Sequence, residues 1–192
     1  MNAAITSTSG EMTILRIASL LAEAEQDEGD GSSYVVSFAT LTEAHVDACL
    51  RHLFSASGVT ENGLAKQMYT ELQDSIYRTW DSRYKWLAQA FDVKVKGQRF
   101  EQDFGLLVEL RNSIVHGGGY LTALQSAKIP QMIAIRSGLQ RCLGLESHGR
   151  KFLLDCKIIA PAARICRDYI QGFDEAIKLK FPAFEVRLDE TH

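Results

Sequence analysis

Three polar residues that could move protons and hold phosphate lie close together in the stretch ELRNSIVHGGGYLT, Glu109 to Thr122. Asn112 and His116 are four positions apart, so a helix would place them on one face, with Arg111 beside them. Imidazole titrates near neutral pH and can serve as general acid or base. Arginine stays charged, and its planar fork pairs with two phosphate oxygens.

These side chains would suit metal-free cleavage of RNA, with the 2′-hydroxyl as nucleophile and a 2′,3′-cyclic phosphate as product. His116 would act as general acid or base, and Arg111 would stabilise the phosphate charge. Asn112 would orient either the phosphate or His116. Because one such pair is little for a whole site, we expect two copies to face each other across a symmetric dimer and form a composite site.

The elements around this motif are predicted to be helices. Apolar residues recur mainly at helical spacing, which predicts an all-α single domain of about five to seven helices over residues 1–192. Residues 1–10 and 183–192 are expected to be flexible tails, and a small hairpin is expected near 143–154. Helices are predicted at about 11–26, 33–56, 60–92, 100–116, 131–142 and 157–179. The 60–92 segment is expected to break near Asp81 and Ser82, and its aromatic residues are interpreted as core packing rather than a base-stacking platform.

Composition narrows the function classes. The formal net charge of −3 gives no global positive field for nucleic acid, so RNA would be held by a local patch. Lys94, Lys96 and Arg99 form the preferred patch, with Arg136 and Arg141 as weaker candidates. Neither a membrane span nor a secretory signal is visible, and the four cysteines lack disulfide-framework spacing. A cytoplasmic protein with reduced thiols, away from the membrane, is therefore expected.

The segment LRNSIVHGG resembles the R-N-x-x-x-H motif of the HEPN superfamily (higher eukaryotes and prokaryotes nucleotide-binding domains), in its bacterial RNxIVHG-type subgroup. Arg111, Asn112 and His116 occupy the motif positions. The resemblance implies a helical bundle with the motif late in a long central helix. It also implies a homodimeric, metal-independent endoribonuclease of a toxin–antitoxin or phage-defence system, with RNA as substrate and no cofactor.

The resemblance further implies an antitoxin or a nucleotidyltransferase as a possible partner. In one subgroup, a tyrosine two residues beyond the histidine is adenylylated by such a partner. This chain has Gly118 at that place and Tyr120 two positions later, so Tyr120 departs from the pattern of the tyrosine switch.

Other interpretations of the same residues stay open. The first is a catalytically inactive HEPN-like adaptor that binds a nucleotide or a protein in a defence or signalling complex. The second is an unrelated bundle whose motif is a solvated helix face. Glu109 could support the site by orienting Asn112 or a partner copy's arginine, or it could be an ordinary surface charge. His45, Cys49 and His52 have the spacing of metal ligands, but core and boundary packing is predicted for them, so no metal is expected.

Overall fold

The computed structural model describes residues 6–25 and 31–186, and within them the chain forms an all-α single-domain bundle, as predicted. The described residues contain eight helices, a 3₁₀ turn and a two-stranded hairpin. The helices are α1 (Thr8–Ala24), α2 (Ser32–Ala56), α3 (Gly63–Tyr77), α4 (Trp80–Phe91), α5 (Arg99–Gly117), α6 (Ala123–Ser126), α7 (Ile129–Leu143) and α8 (Ile159–Lys180). The 3₁₀ turn is Cys156–Ile158, and strands β1 (Ser147–His148) and β2 (Lys151–Phe152) pair antiparallel inside the region where the hairpin was expected.

The bundle is organised around α8, which packs against α1, α2 and α5. Tyr169 and Phe173 of α8 are fully buried, and the Tyr169 ring stacks on Phe104 of α5 at a centroid distance of 4.2 Å. Leu107 and Leu110 of α5 are also fully buried, which confirms that one stripe of the motif helix faces the core. In the part of the chain that the structure describes, no helix has both the length and the apolar content that a membrane crossing requires.

Local end signals set the helix boundaries. The predicted break in the third helical segment is confirmed, since α3 ends at Tyr77 and α4 begins at Trp80. The cap is Thr79 rather than Asp81 or Ser82: its side-chain oxygen accepts a hydrogen bond from the Ser82 amide at 3.1 Å. The described residues contain one helix more than the five to seven predicted, and the helix that was not predicted is the single turn α6. It begins at a capping box that Thr122 and Gln125 form.

The segments next to both ends of the described chain are packed, so the predicted tails do not extend over residues 6–10 or 183–186. Ser9 is buried, and its amide donates a hydrogen bond to the Val186 carbonyl at 2.8 Å. Phe184 is buried as well. Residues 1–5 and 187–192 lie outside the described residues.

Candidate functional site

The motif lies at the C-terminal end of α5, where glycines turn the chain away from the helix. Gly118 and Gly119 have φ values of 57° and 86°, in the left-handed region that glycine adopts without strain. Their amides donate hydrogen bonds to the carbonyls of Ile114 and Ser113 respectively. The Gly119 carbonyl then accepts a hydrogen bond from the Phe152 amide of β2, so the hairpin holds the segment that follows the motif.

The structure brings Arg111 and Asn112 together in the wall of a cleft of about 390 Å³. Arg111 is half-buried, and its Nη1 donates a hydrogen bond to Asn112 Oδ1 at 3.2 Å. His116 is exposed in the last turn of α5 and does not line the cleft. Helix geometry explains the separation, because five positions correspond to about 7.5 Å along the axis and roughly 140° around it.

A second hydrogen-bonded group fixes α5 from the side and was not visible in the sequence. The Gln125 side chain, which is buried, donates through Nε2 to the Glu109 carbonyl at 2.7 Å and to Glu109 Oε2 at 2.6 Å. Its Oε1 accepts from Ser113 Oγ and from the Thr122 amide, both at 2.9 Å. Glu109, predicted to support the motif, is therefore held by α6, although it also lines the cleft.

The lining of the cleft also contains an arginine that the sequence alone did not single out. Arg83 of α4 is only 3% exposed and forms ion pairs with Asp47 at 2.6 Å and Glu43 at 2.8 Å. Burial lowers the pKa of the Arg83 guanidinium, but the hydrogen bonds and charges of Asp47 and Glu43 outweigh it and raise the pKa above its usual value. The guanidinium carbon also lies 5.1 Å from the centroid of the Trp80 ring.

The predicted basic patch lies beside this cleft and is partly neutralised. Lys96 Nζ pairs with Asp81 Oδ1 at 2.6 Å, and Asp81 lines the cleft. Arg99 is exposed and reaches Asp103 at 3.8 Å, while Lys94 is exposed. A phosphate bound at this patch would compete with Asp81 for Lys96 and with Asp103 for Arg99.

The weaker candidates lie elsewhere. Arg136 donates to Ser147 Oγ at 2.9 Å, and Arg136 and Arg141 line a separate groove between α7 and the hairpin. Tyr120 is exposed, forms an isolated bridge with Lys151, and has Lys151 Nζ at 5.8 Å from its ring centroid.

Two of the three residues with metal-ligand spacing belong to a buried network. His45 Nε2 lies 2.8 Å from Asp174 Oδ1, and its Nδ1 lies 3.0 Å from Ser9 Oγ. Cys49 Sγ is 3.6 Å from His45 Nε2, and burial, together with the charge of Asp174, raises the pKa of this thiol. Potential ligand atoms of His45, Cys49 and Asp174 lie within 4.8 Å of one another.

The hydrogen bonds of this network account for its polar atoms. Asp174 Oδ2 accepts from both the amide and the hydroxyl of Ser7 at 2.7 Å, so that α8, α2 and the start of α1 are joined at one buried point. His52 lies apart from it, with its ring edge against Phe184 at a centroid distance of 5.4 Å. The predicted core packing thus describes His45 and Cys49, whereas Asp174 came from a part of the sequence with no local signal.

Comparison of the chain with known protein families, with curated proteins and with solved structures found no match. The function is therefore inferred from the chemistry of the residues around α5.

Proposed function

We propose that this chain is a metal-independent endoribonuclease of the toxin–antitoxin or phage-defence type, acting as a homodimer with a composite site built from Arg111 and His116. The proposal continues the resemblance of LRNSIVHGG to the HEPN motif. The observation that carries it is the placement of Arg111 in the wall of an open cleft, with its guanidinium oriented by Asn112.

The geometry of Arg111 supports a role in holding phosphate. One N–H of the guanidinium is used on Asn112 Oδ1, which leaves the remaining donors for an anion in the cleft. Asn112 would thus act by orienting the arginine, in addition to the orienting roles expected from its motif position. A preorganised cation near the point where charge develops stabilises the transition state of phosphoryl transfer.

The position of His116 supports a site shared between two copies. His116 is exposed one turn beyond the cleft, so a second molecule related by a two-fold axis can bring its own motif against it. One His116 would take the proton of the 2′-hydroxyl while the 2′-oxygen attacks phosphorus. The bond from phosphorus to the 5′-oxygen would break, and the second His116 would donate a proton to that oxygen, leaving a 2′,3′-cyclic phosphate and a 5′-hydroxyl.

The test is cleavage of total RNA and of a defined tRNA pool by pure protein, with product ends identified as cyclic phosphates. His116→Ala should lower the rate at least about 100-fold, the usual contribution of a general acid or base. His148→Ala, which removes another exposed histidine, is the matched control and should leave the rate unchanged. Cleavage should persist in excess chelator. Equal rates for wild type and His116→Ala, or a strict metal requirement, would contradict the proposal.

A catalytically inactive adaptor is the second candidate, and the charge of the cleft favours it. Carboxylates outnumber guanidiniums among the lining residues: the carboxylates are Glu43, Asp81, Glu101 and Glu109, and the guanidiniums are Arg78, Arg83 and Arg111. This excess of negative charge disfavours the binding of a polyanion such as RNA. An adaptor would bind a nucleotide or protein partner without cutting RNA. Wild-type protein that forms the dimer, binds nucleotide and leaves every RNA intact would establish this candidate over the first.

A further inference from the structure

We propose that the cleft beside Arg111 is a guanine-binding pocket that selects the base next to the cleaved phosphate, with Arg83 and Glu43 contacting the base edge. The inference rests on the proposed ribonuclease function and adds a base specificity to it. It is carried by a buried arginine that lines the cleft and has one nitrogen without a hydrogen bond to a described residue.

Arg83 is buried and yet incompletely used. Its Nε and Nη2 bond to Asp47, and Nη2 also contacts Glu43, whereas Nη1 has no hydrogen bond among the described residues. Every fully buried side-chain nitrogen or oxygen in the described chain has a partner. Nη1 of Arg83 is therefore not fully buried, and Arg83 lines the cleft. A guanidinium fixed by two carboxylates with one free donor is a preorganised partner for a carbonyl oxygen.

Glu43 places an acceptor next to this donor. Its Oε1 lies 2.8 Å from Arg83 Nη2, and its second oxygen forms no hydrogen bond with another described residue. The Glu43 side chain is 33% exposed and lines the cleft. The wall thus presents a donor and an acceptor side by side, both held in place by the same ion pair.

The remaining walls suit the faces of a flat ring. Trp80 and Val108, which are partly exposed, contribute apolar surface. The volume of about 390 Å³ lies within the roughly 300–1,000 Å³ of small-molecule pockets. Trp80 packs edge-on against Phe104 at a centroid distance of 4.9 Å, which fixes the indole in position. Bases bind proteins by stacking on aromatic rings while their edges form hydrogen bonds.

Guanine matches this wall better than the other bases do. Its Watson–Crick edge presents the O6 acceptor next to two donors, N1–H and the 2-amino group. O6 would accept from Arg83 Nη1, and the two donors would meet the free oxygen of Glu43. Adenine, cytosine and uracil each present one donor beside an acceptor and would form two of these hydrogen bonds, whereas guanine would form three. The additional hydrogen bond to the charged carboxylate of Glu43 favours guanine.

The position of the pocket relative to the motif connects base and phosphate. Arg111 and Asn112 line the same cleft as Arg83 and Glu43. A nucleotide whose base lies against Arg83 would therefore carry its phosphate toward Arg111. With a guanine held in the cleft, the phosphate next to it would be the one positioned for cleavage.

The first experiment measures binding of GMP, AMP, CMP and UMP to the full chain by titration calorimetry. GMP should bind at least about tenfold more tightly than the others, since hydrogen bonds to charged groups are among the strongest in proteins. Glu43→Gln should remove most of this preference. Glu175→Gln, which neutralises an exposed carboxylate of α8 that does not line the cleft, is the matched control, and the preference should remain.

A space-filling variant keeps the test decisive if Glu43→Gln unfolds the protein. Gly105 lies in α5 and lines the cleft, and a Cβ added there would meet nothing within 4 Å. Gly105→Leu should leave the helix intact, because leucine favours helix over glycine, and should abolish GMP binding by filling the pocket. GMP binding that survives this substitution overturns the location of the pocket.

The second experiment compares RNA oligonucleotides that differ only in one guanine, replaced by adenine, cytosine, uracil or inosine. Cleavage beside guanine, reduced for inosine, which lacks the 2-amino group, supports the inference. Cleavage without base preference, together with no GMP binding, overturns the pocket and leaves the ribonuclease standing. Selective GMP binding without cleavage of any RNA retains the guanine pocket and contradicts the ribonuclease. If guanine-containing RNA cannot displace bound GMP, RNA is not the source of the base that the pocket binds.

Discussion

The Gln125 contact offers a sharp test of how α5 is held, because glutamate has nearly the same shape. Gln125→Glu replaces the Nε2 donor with an oxygen, which removes two hydrogen bonds to Glu109 and sets a carboxylate against the Glu109 carboxylate and carbonyl. Each lost hydrogen bond costs about 1 kcal/mol. Repulsion between the two carboxylates adds about another 1 kcal/mol, since Glu109 is half-exposed and solvent screens it. The expected loss in free energy of unfolding is therefore about 3 kcal/mol.

The assay is urea unfolding at about pH 8 and about pH 5, followed by circular dichroism. Burial and Glu109 would raise the pKa of the new carboxyl in the folded state, so the cost is full above that pKa and shrinks as the pH falls through it. Gln171→Glu adds the same charge to an exposed site on α8 and should change stability by less than about 0.5 kcal/mol. A loss below about 1 kcal/mol for Gln125→Glu, or one equal at both pH values, would refute the proposed role of Gln125.

Two further predictions concern the core. Asp174→Ala leaves three buried donors without an acceptor and should lower the free energy of unfolding by about 3–5 kcal/mol in the same urea assay. The control Asp168→Ala, which removes a half-exposed ion pair, should lower it by less than about 1 kcal/mol. The hydroxyls of Tyr84 and Tyr169 are hydrogen-bonded to each other at 3.1 Å, and burial raises the pKa of both. Their contribution to stability is therefore present below about pH 10 and is lost as the pH rises further. A Tyr84→Phe/Tyr169→Phe variant should lose stability less steeply between about pH 9 and pH 11, and an unchanged slope would contradict the assignment.

The helices could be predicted from the sequence because their signals are local. Periodic apolar residues gave the extent of α5, and Gly118 marks its end. The same signal does not say what covers a face. Leu64 and Met68 recur at helical spacing with Ile76 in α3, yet they are 71% and 54% exposed, and only Ile76 is buried. Periodicity identified the stripe, but whether another element packs on it depends on the whole fold.

The candidate site was predictable only in its contiguous part. Arg111, Asn112 and His116 could be recognised because they lie in one short segment. The cleft itself joins Glu43 of α2 and Arg83 of α4 to the motif helix, and only the packing of three helices brings them together. Their separation in sequence gives no spacing to recognise.

The contact between Ser7 and Asp174 also determines when the bundle can finish folding during synthesis of the chain. It joins residues 167 positions apart, so the start of α1 cannot obtain its buried acceptor until α8 has left the ribosome. Loop closure over such a distance makes this docking a late step of folding. A truncated product that stops before Asp174 would leave His45 Nε2 and the Ser7 amide without the acceptor that they have in the complete bundle. Only a chain that includes α8 can therefore complete the packing of α1, α2 and α5.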